Sequence, residues 1–348
     1  MFEIVLSLCL AASPEICETR LLPVAAADCA QAVTRAEEIA PDWDEALVAG
    51  GFECVARPAS GLAFEEIAPG VYVHRGQVAD VTPGNLGDVA NIGFVIGRDS
   101  VAVIDAGGSR AVGEAVYLAV RAVTDKPISH LILTHMHPDH VMGADVLVEA
   151  GAQIVGHRKL GQALAARAET YETNFARLIG PGFIGSRVPE MGAGIAAQTQ
   201  IDLAQIDLGG RILDLVAHET AHSESDVTVF DRETATLFAG DLLFDAHSPA
   251  LDGSVLGWLR VLETLGAPVP ARMVPGHGGP VLDWPEGMTD LRRYLEVLRD
   301  ETRAAVTEGL RLGEAVERVG QGEAGRWALF DLFHPRNVTT AFTELEWE

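Results

Sequence analysis

From Leu131 to Gly143 the chain reads Leu-Ile-Leu-Thr-His-Met-His-Pro-Asp-His-Val-Met-Gly. The apolar run that opens it is short, which favours a buried strand over a helix. Three histidines and an aspartate then fall within six residues: His135, His137, Asp139 and His140. Because α/β proteins usually bind ligands beyond the carboxyl ends of their strands, these side chains are expected to line a crevice. Pro138 is expected to stop the strand, and Gly143 to allow a tight turn out of the motif.

The spacing of these four side chains predicts two metal ions rather than one. Neutral imidazole and carboxylate are ligands of borderline cations such as zinc. His135 and His137 alternate along the chain and can reach one ion, whereas Asp139 and His140 lie past the turn and can reach another. The alternative is a group of solvated loop histidines. Since 11 histidines in 348 residues rarely cluster in this way, the motif indicates a metal site.

The order His-x-His-x-Asp-His after a buried strand resembles the signature of the metallo-β-lactamase superfamily. The resemblance extends from about Phe64 to Pro280. It implies an α/β fold with four layers, an αβ/βα sandwich. It also implies three later metal ligands: His222 ahead of Ser223 and Asp226, Asp241 after Gly240, and His277 within Pro-Gly-His-Gly-Gly. His218 is the competitor of His222, which is preferred because it lies just before the next strand. Asp226 is expected to bond the loop backbone.

The resemblance also assigns roles to these ligands. One ion would be held by His135, His137 and His222, the other by Asp139, His140 and His277, with Asp241 bridging both. The ions are expected to be zinc, with iron or manganese as alternatives. They would share a water that becomes hydroxide near neutral pH. Asp139 is expected to be catalytic as well, because it would orient that water and help protonate the leaving group.

Two further side chains are candidates around the site. By resemblance, Asp105 lies at a strand end beneath the metals and fixes the orientation of a ligand. A compatible alternative is that Asp105 stabilises the start of a helix predicted over 111–123. His247 is either a substrate contact or an ordinary loop histidine.

The predicted activity is hydrolysis of an activated acyl bond in a small molecule. A thioester, a lactone and a β-lactam are the candidate bonds. In the superfamily, enzymes that cleave thioesters or lactones often carry aspartate where Asp241 stands, whereas β-lactamases usually carry cysteine or serine. One rival is an iron oxygenase or redox protein, whose relatives do without some ligands of the second ion. Another is a non-catalytic accessory protein, which should have lost ligands.

The charge balance excludes several partners. With 50 acidic and 25 basic residues, the formal net charge is -25. Such a chain repels phosphate backbones and anionic membranes, which argues against the nuclease branch of the superfamily and against nucleic acid as a partner. No apolar run reaches the roughly 20 residues that span a bilayer, so no membrane span is expected.

The four cysteines predict a small module ahead of the main domain. Cys9, Cys17, Cys29 and Cys54 all lie in the first 54 residues. Two disulfides are favoured, with the pairing open, over a four-cysteine zinc site or free buried thiols. The domains are then residues 1–60 and residues 61–348, and the disulfides imply an oxidising compartment such as a periplasm. The apolar start is similar to the core of a signal peptide, but no basic residue precedes it, and its pattern predicts a strand.

A narrower likeness covers nearly the whole chain. The cysteine-bearing start, the motifs at 252–259 and the ending at 337–348 look like those of the quinoprotein relay system zinc metallohydrolases. That likeness implies a functional link to a periplasmic quinoprotein dehydrogenase, but no substrate.

The remaining pattern predicts alternating strands and helices. Residues 76–90 form either a loop over the metals or an ordinary surface loop. A strand–helix–strand unit is expected over 101–133, a helix over 159–179, a loop over 180–194, a hairpin over 201–216 and a strand over 234–238. The stripe on the 159–179 helix indicates core or pocket wall. His157 is expected at the surface.

Overall fold

A small antiparallel sheet with one helix begins the chain in the computed structural model, which describes residues 1–190 and 203–348. Its elements are β1 (Phe2–Leu10), β2 (Ser13–Ala26), α1 (Cys29–Ile39), β3 (Leu47–Ala49) and β4 (Glu53–Ala56). Strand β1 pairs with the other three strands. Disulfides join Cys9 to Cys17 and Cys29 to Cys54. The prediction of two disulfides is therefore confirmed, and the four-cysteine zinc site and free thiols are excluded.

Six strands form the next sheet, in the order β10-β9-β8-β7-β6-β5. They are β5 (Glu65–Ala68), β6 (Val71–His74), β7 (Ile92–Ile96), β8 (Val101–Ile104), β9 (Ile128–Ile132) and β10 (Gln153–Val155). Its helices are α2 (Arg110–Val123), α3 (Pro138–Val141), α4 (Ala144–Glu149) and α5 (Leu160–Ile179). Strands β8 and β9 are parallel and joined by α2, as the strand–helix–strand prediction requires.

The second large sheet has five strands in sequence order. They are β11 (Leu203–Asp207), β12 (Ile212–Ala217), β13 (Val227–Asp231), β14 (Thr236–Phe244) and β15 (Arg272–His277). The remaining α-helices of the described residues are α6 (Val255–Thr264), α7 (Thr289–Thr307), α8 (Leu312–Arg318) and α9 (Phe330–Leu345). The hairpin of β11 and β12 agrees with the prediction from Leu203 onward, and residues 201 and 202 lie outside the described residues, as does the end of the 180–194 prediction.

Alternate side chains of the buried strands pack on opposite faces of each sheet, and this explains how the four layers stack. In β9, Leu131 packs on the helix side of its sheet, whereas its neighbour Ile132 packs between the two large sheets. Successive strand side chains point to opposite faces, so an unbroken apolar run marks a strand that is covered on both sides. A further core that contains Trp258 packs on the outer face of the second sheet. The predicted αβ/βα sandwich is confirmed.

Gly143 lies in a turn between α3 and α4, as predicted, and glycine is required there because a Cβ would overlap Ala106 O and the backbone of Gly113 in α2. Two other local predictions were wrong for identifiable reasons. Strand β14 was predicted to end at residue 238 but continues beyond it. Its pairing with β15 shifts on both sides of Gly240, so the strand continues through a β-bulge. His157 is buried rather than at the surface.

The N-terminal sheet is bound to the main sheets by buried charge. In α2, Arg110 is 1% exposed, makes a two-pronged contact with Glu149 at 2.8 and 2.7 Å, and donates to Leu21 O at 3.0 Å. Leu21 N in turn donates to Glu114 of the same helix at 2.9 Å. The predicted boundary near residue 60 stays a prediction. No helix among the described residues is long and apolar enough to cross a membrane.

We expect Arg110→Ala to lower the free energy of unfolding by about 3–5 kcal/mol, because it leaves Glu149 and Glu114 buried without their cation. Denaturant titration measures the change. Arg98→Ala is the control, since its pair with Asp99 is exposed and screened by solvent, so its loss should change the free energy of unfolding little. Equal losses in the two variants would contradict this account of the interface.

Candidate metal centre

Seven predicted ligands meet at one edge of the two large sheets. They come from the turn after β9, from α3, from the loop between β12 and β13, from β14 and from the end of β15. Their donor atoms form two groups, each within 4.8 Å: His135, His137, His222 and Asp241 in one, and Asp139, His140 and His277 in the other. His218 lies outside both groups and contacts Thr228.

The first group is centred on His137. Its Nδ1 lies 3.1 Å from His135 Nε2 and 2.9 Å from His222 Nε2. Asp241 Oδ2 lies 3.4 Å from His222 Nε2 and 3.7 Å from His135 Nε2. Three imidazole nitrogens and one carboxylate oxygen therefore converge, which is a donor set that a borderline cation accepts.

Asp241 also contacts the second group. Its Oδ1 lies 3.2 Å from His140 Nε2, and its Oδ2 lies 3.4 Å from His277 Nε2. Asp139 Oδ2 lies 3.3 Å from His277 Nε2 and 3.7 Å from His140 Nε2. The Asp241 carboxylate thus lies between the two groups of ligands.

Each of the five histidines is held from outside through its other ring nitrogen. The outer partners are Thr134 Oγ1 for His135, Asp252 Oδ2 for His137, Asp105 Oδ2 for His140, Ala250 O for His222 and Val89 O for His277. Because each partner accepts, the outer nitrogen carries the proton and the inner nitrogen presents its lone pair. Such outer contacts fix the tautomer that a metal ligand needs.

Asp105 occupies the position expected of it. Its backbone is left-handed, with φ of 62°. Its two oxygens accept from Thr134 N and Thr134 Oγ1, both at 2.8 Å, and from His140 Nδ1 at 2.8 Å. The alternative role at the helix is wrong, because Ser109 caps α2.

Two features of the centre fit a cation. His140 Nε2 and Asp241 Oδ1 are buried polar atoms without a hydrogen-bond partner, and such atoms are rare unless an ion or water satisfies them. A Cβ at Gly276 would overlap Asp241 Oδ1, so glycine is required where the backbone passes this carboxylate. The residues present therefore fit a metal centre.

The electrostatics agree with this fit. Burial lowers the pKa of His222 to about 3 and lowers that of His135 as well, so both rings are neutral. For His277, burial also lowers the pKa, but Asp241 and Asp139 outweigh burial and raise it to about 9. Protons and cations therefore compete for this nitrogen, as they do in metal sites generally.

Asp226 holds the loop that carries His222. Ser223 donates to it twice, from its backbone nitrogen at 2.9 Å and from its hydroxyl at 2.7 Å. Burial raises the pKa of Asp226 to about 7. This contact agrees with the predicted bond to the loop backbone.

A cavity of about 890 Å³ opens over the centre. Its walls come from residues 79–81 and 89, from α5 and α9, and from the loop that follows β14. The 76–90 segment is therefore a wall of the cavity. On α5, Leu160, Leu164 and Phe175 belong to the core, and Tyr171, Phe175 and Leu178 line the cavity. The stripe on this helix is therefore both core and pocket wall.

His247 also lines this cavity. It is buried, its Nδ1 donates to Ser248 O at 2.6 Å, and its ring centroid lies 4.6 Å from that of His277. Burial lowers its pKa to about 4. The ring is therefore neutral, and Nε2 is left as an acceptor.

Asp252 is a contact of the centre that sequence reasoning missed. It bonds His137 Nε2 at 3.2 Å across 115 residues of chain, and its backbone nitrogen donates to His222 O at 2.9 Å. A loop aspartate carries no local signal for such a contact.

We expect Asp252→Ala to weaken metal binding by about 10–100-fold, because His137 loses the partner that orients it. Competition with a chromophoric chelator measures the affinity. Asp290→Ala removes an exposed carboxylate of α7 and should bind metal as the unaltered protein does. Unchanged affinity in Asp252→Ala would contradict the role of this contact.

The 76–90 segment, which forms a wall of the cavity, is held by the buried His74. His74 Nδ1 lies 2.9 Å from Ala63 O, and Nε2 lies 2.7 Å from Asp88 Oδ1. Both partners are acceptors, so the bonded ring is protonated. Burial lowers the pKa of His74, but Asp88 outweighs burial and raises it above the ordinary 6.5.

Because this pKa is raised on folding, the stabilisation is complete below about pH 6.5 and is lost as pH rises through the folded-state value. The stability difference between the unaltered protein and His74→Gln should therefore shrink as pH increases. Denaturant titrations across that range measure it. A difference that stays constant with pH would exclude the charged pair.

Known proteins resemble this chain in sequence and fold. A family described as the metallo-beta-lactamase superfamily matches residues 86–277. The chain is 28% identical to the acyl-coenzyme A thioesterase MBLAC2 of Bos taurus over 221 residues, which cover 55% of this chain and 74% of that protein. The Homo sapiens protein of the same name matches with the same identity and coverage.

Solved structures share the fold at low identity. The inverting sec-alkylsulfatase Pisa1 from Pseudomonas sp. superposes with a TM-score of 0.63 at 16% identity, over 81% of this chain and 50% of that one. The match thus spans half the length of the sulfatase. A metallo-beta-lactamase from Pontibacter korlensis gives a TM-score of 0.52 at 19% identity, over 68% of this chain and 99% of that one. Since the family match covers more than half of the sequence and the ligand geometry agrees with it, the chain belongs to the metallo-β-lactamase superfamily.

Proposed function

We propose that this protein is a metal-dependent hydrolase that uses two zinc ions to cleave a thioester of a small acyl group. Members of the superfamily are mostly hydrolases, and the curated relatives are named as acyl-coenzyme A thioesterases. The observation that carries the proposal is the Asp241 carboxylate between two complete sets of histidine and aspartate donors.

The ligands divide as their distances suggest. His135, His137 and His222 would hold one cation, Asp139, His140 and His277 the other, and Asp241 both. When bound, two such cations supply positive charge for a carbonyl oxygen and lower the pKa of water to about 7. No serine or cysteine nucleophile is then required.

Asp139 is the ligand best placed to move a proton. Its side chain is 18% exposed and lines the cavity, more open than Asp241 at 4%. Burial raises the pKa of Asp139, but His140 and His277 outweigh burial and hold it below its usual range, so the carboxylate is ionised. An Asp139 oxygen accepts a proton as water attacks the acyl carbon. It returns that proton to sulfur as the carbon–sulfur bond breaks, which gives a carboxylic acid and a thiol.

Other cavity residues would position the substrate. Phe175 and Leu178 of α5 face the same cavity as Leu332 and Phe333 of α9. They offer an apolar surface to the acyl group and displace water from it. His247 Nε2 is a hydrogen-bond acceptor for a donor group of the substrate.

A lactone is the second candidate bond, and β-lactam cleavage would be a side activity. The complete second set of ligands disfavours an iron oxygenase or redox protein, and intact ligands disfavour a non-catalytic accessory role. We also place the protein in a periplasm with a functional link to a quinoprotein dehydrogenase. The two disulfides support a periplasmic location, because disulfides persist in oxidising compartments. The likeness of both chain ends to quinoprotein relay hydrolases supports the link to a quinoprotein dehydrogenase.

Elemental analysis of the purified protein should find two zinc ions per chain, and assays should detect hydrolysis of acyl thioesters above that of lactones and nitrocefin. Asp241→Ala should have no measurable turnover, because it removes the ligand common to both ions. Chelation should abolish activity, and added zinc should restore it.

Asp99→Ala is the control for these assays, since Asp99 is an exposed carboxylate at a turn and its loss should leave turnover unchanged. One iron per chain without hydrolysis of any of these compounds would replace the proposal with oxygenase or redox chemistry.

A further inference from the structure

Two exposed arginines line the outer part of the cavity, in a chain of net charge -25. Arg177, in the last turn of α5, and Arg336, in α9, both line the cavity and are exposed. The ligands Asp241 and His277 line the same cavity and are buried. The two arginines therefore mark its outer end and the metal centre its inner end.

Neither arginine is paired within the part of the chain that the structure describes. Across residues 1–190 and 203–348, neither Arg177 nor Arg336 donates a hydrogen bond or pairs with a carboxylate. Several other surface arginines do pair with carboxylates, among them Arg98, Arg232 and Arg303. In a chain with twice as many acidic as basic residues, two unpaired guanidinium groups on two walls of one cavity keep all their donors for a ligand.

Apart from Asp80, the other charged groups at the outer part of the cavity contact groups other than Arg177 and Arg336. Asp252 is bonded to His137 and lies 3.7 Å from Arg167 Nη2. Arg167 lies in addition 3.5 Å from Glu224, so its own charge is offset. Asp80 remains as a single carboxylate against Arg177 and Arg336. The formal charges of these groups balance, but no carboxylate of the described residues pairs with Arg177 or Arg336, so their guanidinium donors are available to an anion.

The same helices separate apolar from charged surface. Arg336 lies one helical turn beyond Leu332 and Phe333 in α9, and Arg177 lies beside Leu178 in α5. A bound thioester can therefore place its reacting bond at the ligands, apolar atoms along these side chains, and a charged end at the arginines. Guanidinium groups bind phosphate and carboxylate through paired hydrogen bonds.

We propose that the substrate is an acyl thioester whose thiol carrier bears a negative group, phosphate or carboxylate, which Arg177 and Arg336 bind. This inference rests on the proposed thioester hydrolysis and adds the class of thiol. Arg177 and Arg336 would then determine specificity, because they contact the thiol carrier, which is the leaving group of the thioester.

The test compares one acetyl group on three thiols: coenzyme A, which carries phosphates, glutathione, which carries carboxylates, and neutral N-acetylcysteamine. At least one charged thioester should exceed the neutral one in kcat/KM. The double variant Arg177→Ala/Arg336→Ala should reduce that ratio at least ~10-fold, mainly through KM, as expected for lost charge-assisted hydrogen bonds. Whichever charged thioester shows the larger effect identifies phosphate or carboxylate as the anion.

Arg232→Ala/Arg318→Ala is the matched control. Both arginines are exposed, neither lines the cavity, and their loss changes the net charge equally. This variant should keep the ratio of the unaltered protein. Equal kcat/KM for all three thioesters, or an equal loss of ratio in both double variants, would overturn the anion site and leave thioester hydrolysis intact.

If no thioester is hydrolysed, calorimetry separates the anion site from the proposed thioester hydrolysis. It measures the binding of S-methyl coenzyme A and S-methyl glutathione. Binding by the unaltered protein at least ~10-fold tighter than by Arg177→Ala/Arg336→Ala would support the anion site while the proposed function fails. Equal binding of both compounds by the two proteins would overturn the anion site as well.

Discussion

The structure depends on one buried carboxylate. Asp241 lies within 3.4 Å of ring nitrogens of His140, His222 and His277, and it is 4% exposed. A carboxylate taken out of water needs opposite charge or hydrogen-bond donors. The surrounding histidines cannot all donate to it, because their outer nitrogens are committed to other partners. Positive charge between Asp241 and the histidine rings would satisfy the buried carboxylate.

The rest of the fold holds these rings in place. Their outer partners come from the β8 end, the 76–90 segment and the loop before α6, so parts of both sheets fix one centre. The bulge at Gly240 keeps Asp241 within a strand while it changes the pairing with β15. The glycine at position 276 lets that neighbouring strand pass the carboxylate closely. Positioning of this quality is what a preorganised site needs.

Sequence predicted the parts of this arrangement that local rules govern. The short, unbroken apolar runs Val101–Ile104 and Leu131–Leu133 predicted buried strands, and the family motifs predicted the ligands. Contacts made only by the tertiary fold were missed. Asp252 reaches His137 across 115 residues, and the burial of His157 depends on elements distant in sequence. The cap of α2 was within reach, since Ser109 is a preferred capping residue. The turn at Gly143 was predicted, whereas its close packing against Ala106 and Gly113 is a tertiary contact that the local sequence does not show.

Anomalous diffraction at the zinc edge, from crystals of the protein purified with zinc, tests the account most directly. Two peaks are expected, one on each side of Asp241, with ligation through Nδ1 of His137 and through Nε2 of the other four histidines. A single peak, peaks away from Asp241, or ligation through the opposite ring nitrogens would contradict it.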